Sequence, residues 1–232
     1  MILAAFHRVN PQPQPTYQGR STRELLLLKG YSGIGKSTLV REAYKPVTER
    51  QGYLISGKFD PLQRNIPYRG FIDAFTDLVN QLLTEPEAQL QQWAVHLQAV
   101  FGGNLQVMVA LIPALALIVG EQPPPPTLSS MEAQNRFNLA IQGFVQVFAQ
   151  PDHPLVICLD DLQWADQASL KLMQRLLNEP DAHSLLLIGV YRDNEVRAGH
   201  PLMLMLEQLR QQGRTISEVT VQPLKLADIN QL

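Results

Sequence analysis

Short unbroken apolar runs alternate along this chain with longer stretches whose apolar residues recur three and four apart. "ELLLLKG" (24–30), "GYLISGKF" (52–59), "LVICLD" (155–160) and "SLLLIGVYR" (184–192) are runs of the first kind. Such runs suit strands buried on both faces. "TISEVTV" (215–221) predicts a fifth, more polar strand. Helical spacing covers 68–84 through Phe71, Ile72, Phe75, Leu78, Val79 and Leu82, and 87–101 through Leu90, Trp93, Ala94, Leu97, Val100 and Phe101. It returns over 131–149 through Phe137, Ala140, Ile141, Phe144, Val145 and Phe148, and over 201–211 through Leu202, Met205, Leu206 and Leu209, with a further helix predicted over 167–178. "STLVREAY" (37–44) reads as a helix that Pro46 discourages from continuing. Strands alternating with helices predict an α/β fold. Its sheet is mainly parallel and five-stranded, with helices on both faces in a three-layer αβα arrangement.

Two segments break the pattern. "NPQPQPTYQGR" (10–20) reads as a loop and "EQPPPPTLSS" (121–130) as a stiff connector. The longest apolar run, "VMVALIPALALIV" (107–119), contains a proline and falls short of the ~20 residues a spanning helix needs, so it predicts core and no membrane span. The opening "MILAAFHRVN" does not read as a signal peptide, because its apolar stretch is short and ends in His and Arg.

Composition narrows the class. The 232 residues suffice for one large domain, and 45% apolar content can fill its core. The net charge of −2 offers no basic excess for nucleic acid. The single cysteine, Cys158, sits in an apolar run and predicts a core thiol, which fits a reducing, cytoplasmic setting. The five histidines show no zinc-like spacing.

The chemistry begins where the first predicted strand ends. Residues 30–37 read Gly-Tyr-Ser-Gly-Ile-Gly-Lys-Ser, which is G-x-x-x-x-G-K-[ST], the phosphate-loop pattern. By average composition a chance match in a chain this long has odds of about 1%, and the strand before and helix after make chance less credible still. Gly30, Gly33 and Gly35 permit backbone angles and close approach that a side chain would block. The N–H groups from Gly30 through Tyr31, Ser32, Gly33, Ile34 and Gly35 can then turn inward as an anion nest, helped by the following helix N-terminus. Lys36 can reach the β- and γ-phosphates, Ser37 can ligate Mg²⁺, and Thr38 can touch the α-phosphate. The predicted ligands are ATP or ADP with Mg²⁺.

Turnover needs a carboxylate near the metal and a group that orients water. "LVICLDDLQWAD" (155–166) ends a strand in Asp160–Asp161, at the edge where such sheets bind ligands. Asp160 is assigned to magnesium and Asp161 to the water; the alternative is that Asp161 caps a turn. Asp166 reads as a helix cap. Arg192 ends the fourth strand. If that strand lies between the phosphate-loop strand and the acidic strand, Arg192 stands beside the γ-phosphate and reports ATP against ADP. Otherwise it is a surface arginine paired with Asp193 or Glu195.

"GYSGIGKSTLV", "GYLISGKFD", "QRNIPY", "QNRFNL", "HPLVICLDDLQWAD", "LLLIGVYRDNEV" and "HPLM" together resemble the AAA-type, STAND-like ATPase module of bacterial, often cyanobacterial, multi-sensor serine/threonine and histidine signalling kinases. The resemblance covers nearly the whole chain. It implies a P-loop NTPase core over 23–222, preceded by an N-terminal helix and loop (1–22) and followed by the opening of a lid or winged-helix region (223–232), as in a fragment. It supports Lys36 and Ser37 on phosphate and metal, Asp160 and Asp161 as the acidic pair, and Arg192 as nucleotide sensor. It implies a nucleotide-dependent switch with weak ATPase activity, neighbouring kinase and sensor domains as partners, and nucleotide-dependent self-association. No H-R-D or D-F-G kinase motif is present. The residues leave two other readings open: a non-hydrolysing ATP-binding and partner-docking module, and a DNA-associated AAA ATPase, which the charge balance disfavours.

Overall fold

The computed structural model describes residues 1–11, 23–63, 66–123, 130–179 and 184–222. Five strands form one sheet: β1 (Arg23–Lys29), β2 (Tyr53–Lys58), β3 (Leu155–Asp160), β4 (Leu185–Tyr191) and β5 (Ile216–Thr220). Their order is β2-β3-β4-β1-β5 and every pairing is parallel. All five strands therefore deliver their C-terminal ends, and the loops that follow, to one edge. β4 lies between β1 and β3, so the strand leading to Arg192 separates the glycine-rich loop from the acidic pair.

Ten helices are described: α1 (Ile2–Val9), α2 (Lys36–Arg41), α3 (Tyr44–Thr48), α4 (Arg69–Leu82), α5 (Glu87–Phe101), α6 (Leu105–Leu111), α7 (Ala116–Val119), α8 (Ser130–Phe148), α9 (Gln167–Asn178) and α10 (Pro201–Gln211). The alternation of side chains along each strand sorts them into two layers. Leu25, Leu27, Ile55, Ile157, Leu159 and Leu187 face the larger core, built with α4 to α10. Leu26, Leu28, Leu54, Val156, Ile188 and Val190 face a smaller one, closed by α1, α2 and α3 through Phe6, Val9, Val40 and Val47. The fold is thus the three-layer αβα arrangement expected from the apolar pattern. Glu24, almost fully buried, is held by Arg8 of α1 and by the Ser217 hydroxyl of β5, which pins the first helix and the edge strand to β1.

Helix and strand ends follow local chemistry. Asp166 caps α9: its carboxylate accepts from the Ser169 backbone N–H (2.9 Å) and hydroxyl (2.5 Å). It also accepts from the Tyr68 N–H (3.2 Å), where the chain enters α4 with φ 65°. One side chain thus ties the loop after β3 to the start of α4. Asp166→Ala is expected to cost about 1–2 kcal/mol, read as a lower denaturant midpoint with an unchanged slope.

The sequence pattern misplaces one helix end. The helix expected over 37–44 stops at Arg41, and α3 resumes at Tyr44 with Pro46 inside it. Pro46 falls in the first turn of α3, where backbone N–H groups have no helical partner to lose, so it is compatible with this short helix and does not end one. The apolar run 107–119 enters the core as expected, through Met108, Ile112, Leu115 and Val119, as parts of α6 and α7 joined by a 3-10 helix at Pro113–Leu115. Among the described residues, Glu87–Leu111 has the length and mean hydropathy (1.3) of a membrane span. Here it is two helices joined at Gly102–Asn104, with Trp93, Leu97, Phe101, Leu105 and Met108 turned into the core. The expected loop at 12–20, most of the proline connector (124–129) and the expected lid opening (223–232) lie outside the described residues.

Candidate functional site

The loop from Gly30 to Gly35 leaves β1 at the C-terminal edge of the sheet and runs straight into α2. Gly33 and Gly35 have φ of 75° and 95°, a left-handed conformation that favours glycine. A Cβ built on either would meet nothing within 4 Å, so these two glycines are required by backbone shape and border open space. Gly30 differs. A Cβ there would lie 2.7 Å from the Val221 carbonyl oxygen, in the segment after β5 whose N–H bonds to the Lys29 carbonyl at 2.8 Å. Gly30 is thus fixed by close approach as well as by its φ of 149°.

Lys36 opens α2 and is 9% exposed. Its ammonium donates to the carbonyls of Gly30 and Tyr31, both at 2.7 Å, closing the loop across its mouth. Three hydrogens on Nζ leave one for a ligand. Burial lowers the Lys36 pKa, opposed by the field of Asp160 and reinforced by that of Arg192.

Opposite the loop, β3 ends at Asp160. The Asp160 Oδ1 accepts the N–H of Asp161 at 2.8 Å, and Asp161 takes φ 53°. This tight turn swings the second carboxylate out of the strand direction. Asp161 is 8% exposed and has three partners: Lys58 Nζ at 3.2 Å from Oδ2, Arg192 Nε at 3.5 Å from Oδ1, and the Gln163 amide donating to Oδ1 at 2.8 Å. Arg192 also reaches Glu195, with Nη1 donating at 2.9 Å. That bond, and then the field of Asp161, raises its pKa. The expected pairing with Glu195 is therefore present, and the same guanidinium also faces Asp161.

Ser32, Gly33, Gly35, Lys36, Ser37, Thr38, Lys58, Asp160, Asp161 and Arg192 line one cavity of about 310 Å³. It gathers most of the expected loop residues with both aspartates and the arginine. Gly30, Tyr31 and Ile34 do not line it: Gly30 backs onto Val221, Tyr31 is exposed, and the Ile34 side chain lies on the Gly30 side. A more apolar cavity of about 700 Å³ shares Ser37, Lys58 and Asp160 and continues over Val40, Leu54, Cys158 and Val190. Burial, and then the nearby Asp160, pushes the Cys158 thiol up to about 12, as befits an inert core thiol.

Two residues of the site escaped the sequence reading. Lys58 ends β2 in register with Asp160, so the rule that placed the aspartates at the functional edge also reaches it. Gln163 is 2% exposed; its amide donates to Asp161 while its carbonyl accepts the Arg192 N–H at 3.3 Å. Nothing in its spacing signals that role.

Oxygen chemistry in the cavity suits magnesium. Among the described residues no group of three or more His, Cys, Asp or Glu is assembled to hold a metal. A magnesium ion held together with phosphate needs only one or two protein oxygens, and Ser37 and Asp160 share the cavity wall.

Comparison with known proteins gives a family. A family model described as the AAA ATPase domain matches residues 14–188, most of the chain. Hybrid signal transduction histidine kinase G of Dictyostelium discoideum is 38% identical over 155 residues, which are 67% of this chain and 4% of that protein, so the chain spans a small part of its relative. Among solved structures, one of Drosophila ORC bound to DNA is 11% identical with a TM-score of 0.37, over 90% of this chain and 86% of that one. With a glycine-rich loop, an acidic strand end and a parallel sheet of this order already in view, the match over residues 14–188 is decisive, and the chain belongs to the AAA ATPase domain family.

Proposed function

We propose that this chain is an ATP-binding, slowly hydrolysing regulatory module of a signal-transduction protein, a nucleotide-dependent switch of the STAND kind. One observation carries the proposal: the Lys36–Ser37 loop, the Asp160–Asp161 pair and Arg192 surround a single cavity. The likeness to part of a hybrid histidine kinase supports the signalling setting, with neighbouring kinase and sensor domains as partners. Its expected setting is the cytoplasm, where ATP is available and a lone thiol stays reduced.

In this reading, N–H groups of the loop and the Lys36 ammonium hold the β- and γ-phosphates. Ser37, with Asp160 behind it, would hold Mg²⁺, which when bound screens charge on the phosphate oxygens. Asp161 orients a water whose oxygen bonds to the γ-phosphorus. The bond to the β–γ bridging oxygen breaks, and its electron pair leaves on ADP. The water's proton passes to Asp161 and then to solvent. Arg192, which lines the same cavity, would sense whether the γ-phosphate is present.

Asp161→Asn is expected to lower phosphate release roughly 10²-fold while Mg-ATP still binds, measured by coupled phosphate detection beside calorimetry. A non-hydrolysing nucleotide holder is the second reading. It is favoured by the fact that both Asp161 oxygens already have partners. Under it Asp161→Asn changes no release rate.

A further inference from the structure

The cavity contains a cation that the functional reading above does not use. Lys58 sits at the last position of β2, paired in register with Asp160, and lines the cavity alongside Lys36, Ser37 and Arg192. We propose that Lys58 is a γ-phosphate-binding residue that makes this site prefer a nucleoside triphosphate over a diphosphate. The proposal rests on the ATP-binding reading and adds to it the source of its selectivity.

Four observations lead there. The first is position. The glycine-rich loop follows β1, the acidic pair ends β3, and Lys58 ends β2 on the far side of β3 from the loop. A chain of phosphates that starts at the loop and extends toward Asp160 and Asp161 runs toward Lys58, so the terminal phosphate meets it and a diphosphate stops short.

The second is freedom to move. The Lys58 side chain is 66% exposed, and its ion-pair partner among the described residues is Asp161 at 3.2 Å. The lysine end of this pair is exposed, and Asp161, 11% exposed at its side chain, keeps Arg192 and Gln163 as partners, so the ammonium can exchange a carboxylate oxygen for a phosphate oxygen without leaving a buried carboxylate unpaired. Lys36, by contrast, is committed to two loop carbonyls, and Arg192 is shared between Asp161 and Glu195.

The third is charge. Three cationic and two anionic side chains line the cavity. Without Lys58 the lining would be neutral, a poor match for a ligand that remains anionic after magnesium binds. The fourth is support from behind. Gly57, just before Lys58, lies so close to α4 that a Cβ would fall 1.8 Å from the Gly70 carbonyl oxygen. The strand end is therefore held rigidly against that helix, and the lysine backbone has a fixed place from which its side chain reaches.

The test compares Mg-ATP and Mg-ADP binding by calorimetry in the unaltered protein, Lys58→Met and Lys58→Arg. Methionine keeps the length and removes the charge at an exposed position, where folding is insensitive to it. The expected result is a loss of about ten-fold in ATP affinity in Lys58→Met, unchanged ADP affinity, and recovery of most of the preference in Lys58→Arg. The same comparison in an Asp161→Asn background separates direct contact from charge compensation. A loss of ATP preference on Lys58→Met that persists there supports contact with phosphate; a loss that vanishes there overturns it. Equal effects on ATP and ADP, or none, also overturn the role of Lys58 while leaving the nucleotide site standing. Absence of any nucleotide binding in the unaltered protein overturns both.

Discussion

Lys36→Ala is expected to weaken Mg-ATP binding by on the order of 10²-fold or more. The ammonium does two things at once in this structure. It holds the carbonyls of Gly30 and Tyr31 at 2.7 Å, and so fixes the curvature of the loop whose N–H groups would face phosphate. It also lines the cavity with a hydrogen still free to donate. A charge-assisted hydrogen bond to an ionised partner is worth about 1.5–3 kcal/mol, so losing one contact to a phosphate costs ten-fold or more. Loosening two carbonyl anchors adds to that, because the loop must then be ordered by the ligand itself. The folded core should persist, since Lys36 makes its bonds within the loop and outside the apolar layers. Displacement of a fluorescent ATP analogue reads the affinity, and circular dichroism checks the fold. A variant that binds within two- or three-fold of the unaltered protein would remove the loop from the site.

Gly57→Ala is expected to be the most destabilising single-methyl change in the sheet. The added Cβ would lie 1.8 Å from the Gly70 carbonyl oxygen, 2.8 Å from the Gly70 carbonyl carbon and 3.0 Å from the Ala74 nitrogen. All three are backbone atoms of α4, so no side chain can rotate away. Space is short on the α4 side as well, because a Cβ on Gly70 would meet the Phe59 ring at 2.7 Å. Either β2 parts from β3 or α4 lifts from the sheet, and α4 carries Phe71, Phe75, Leu78 and Val79 into the larger core. Overpacking costs about 1–3 kcal/mol where side chains can adjust, and backbone against backbone belongs at or above the top of that range. For a chain of this size, about 3 kcal/mol corresponds to a melting point lower by roughly 6–12 °C. Differential scanning calorimetry reads it directly. A shift below about 2 °C would mean that β2 and α4 are not packed as described. Because Lys58 follows Gly57, the same variant should also blunt the preference for ATP over ADP.

The three central strands were legible because they are buried on both faces. Leu25 to Leu28, Leu155 to Leu159 and Leu185 to Val190 need no alternation to be recognised, and β3 matches its expected limits. The helices α5, α9 and α10 were legible because one apolar stripe each meets the core, and their observed limits are the expected ones. The split between α2 and α3 was not, since six residues of helix followed by a turn carry too little periodicity to mark a break. At the site, residues whose chemistry is written in a local motif could be named: the loop glycines, Lys36, Ser37 and the aspartates after β3. Lys58 reaches the cavity through strand register with Asp160 and Gln163 touches the site only through its hydrogen bond to Asp161, and neither belongs to a local motif. Arg192 lay between the two cases. Its place depended on β4 falling between β1 and β3, which the sheet order supplies.

The most direct measurement is a calorimetric titration of the purified chain with Mg-ATP, with phosphate release followed in the same samples. The account predicts one site per chain, a Kd between about 1 μM and 1 mM, and slow release of phosphate that disappears with Asp161→Asn. A folded protein that takes up no nucleotide at millimolar concentration, by heat or by thermal stabilisation, would contradict it.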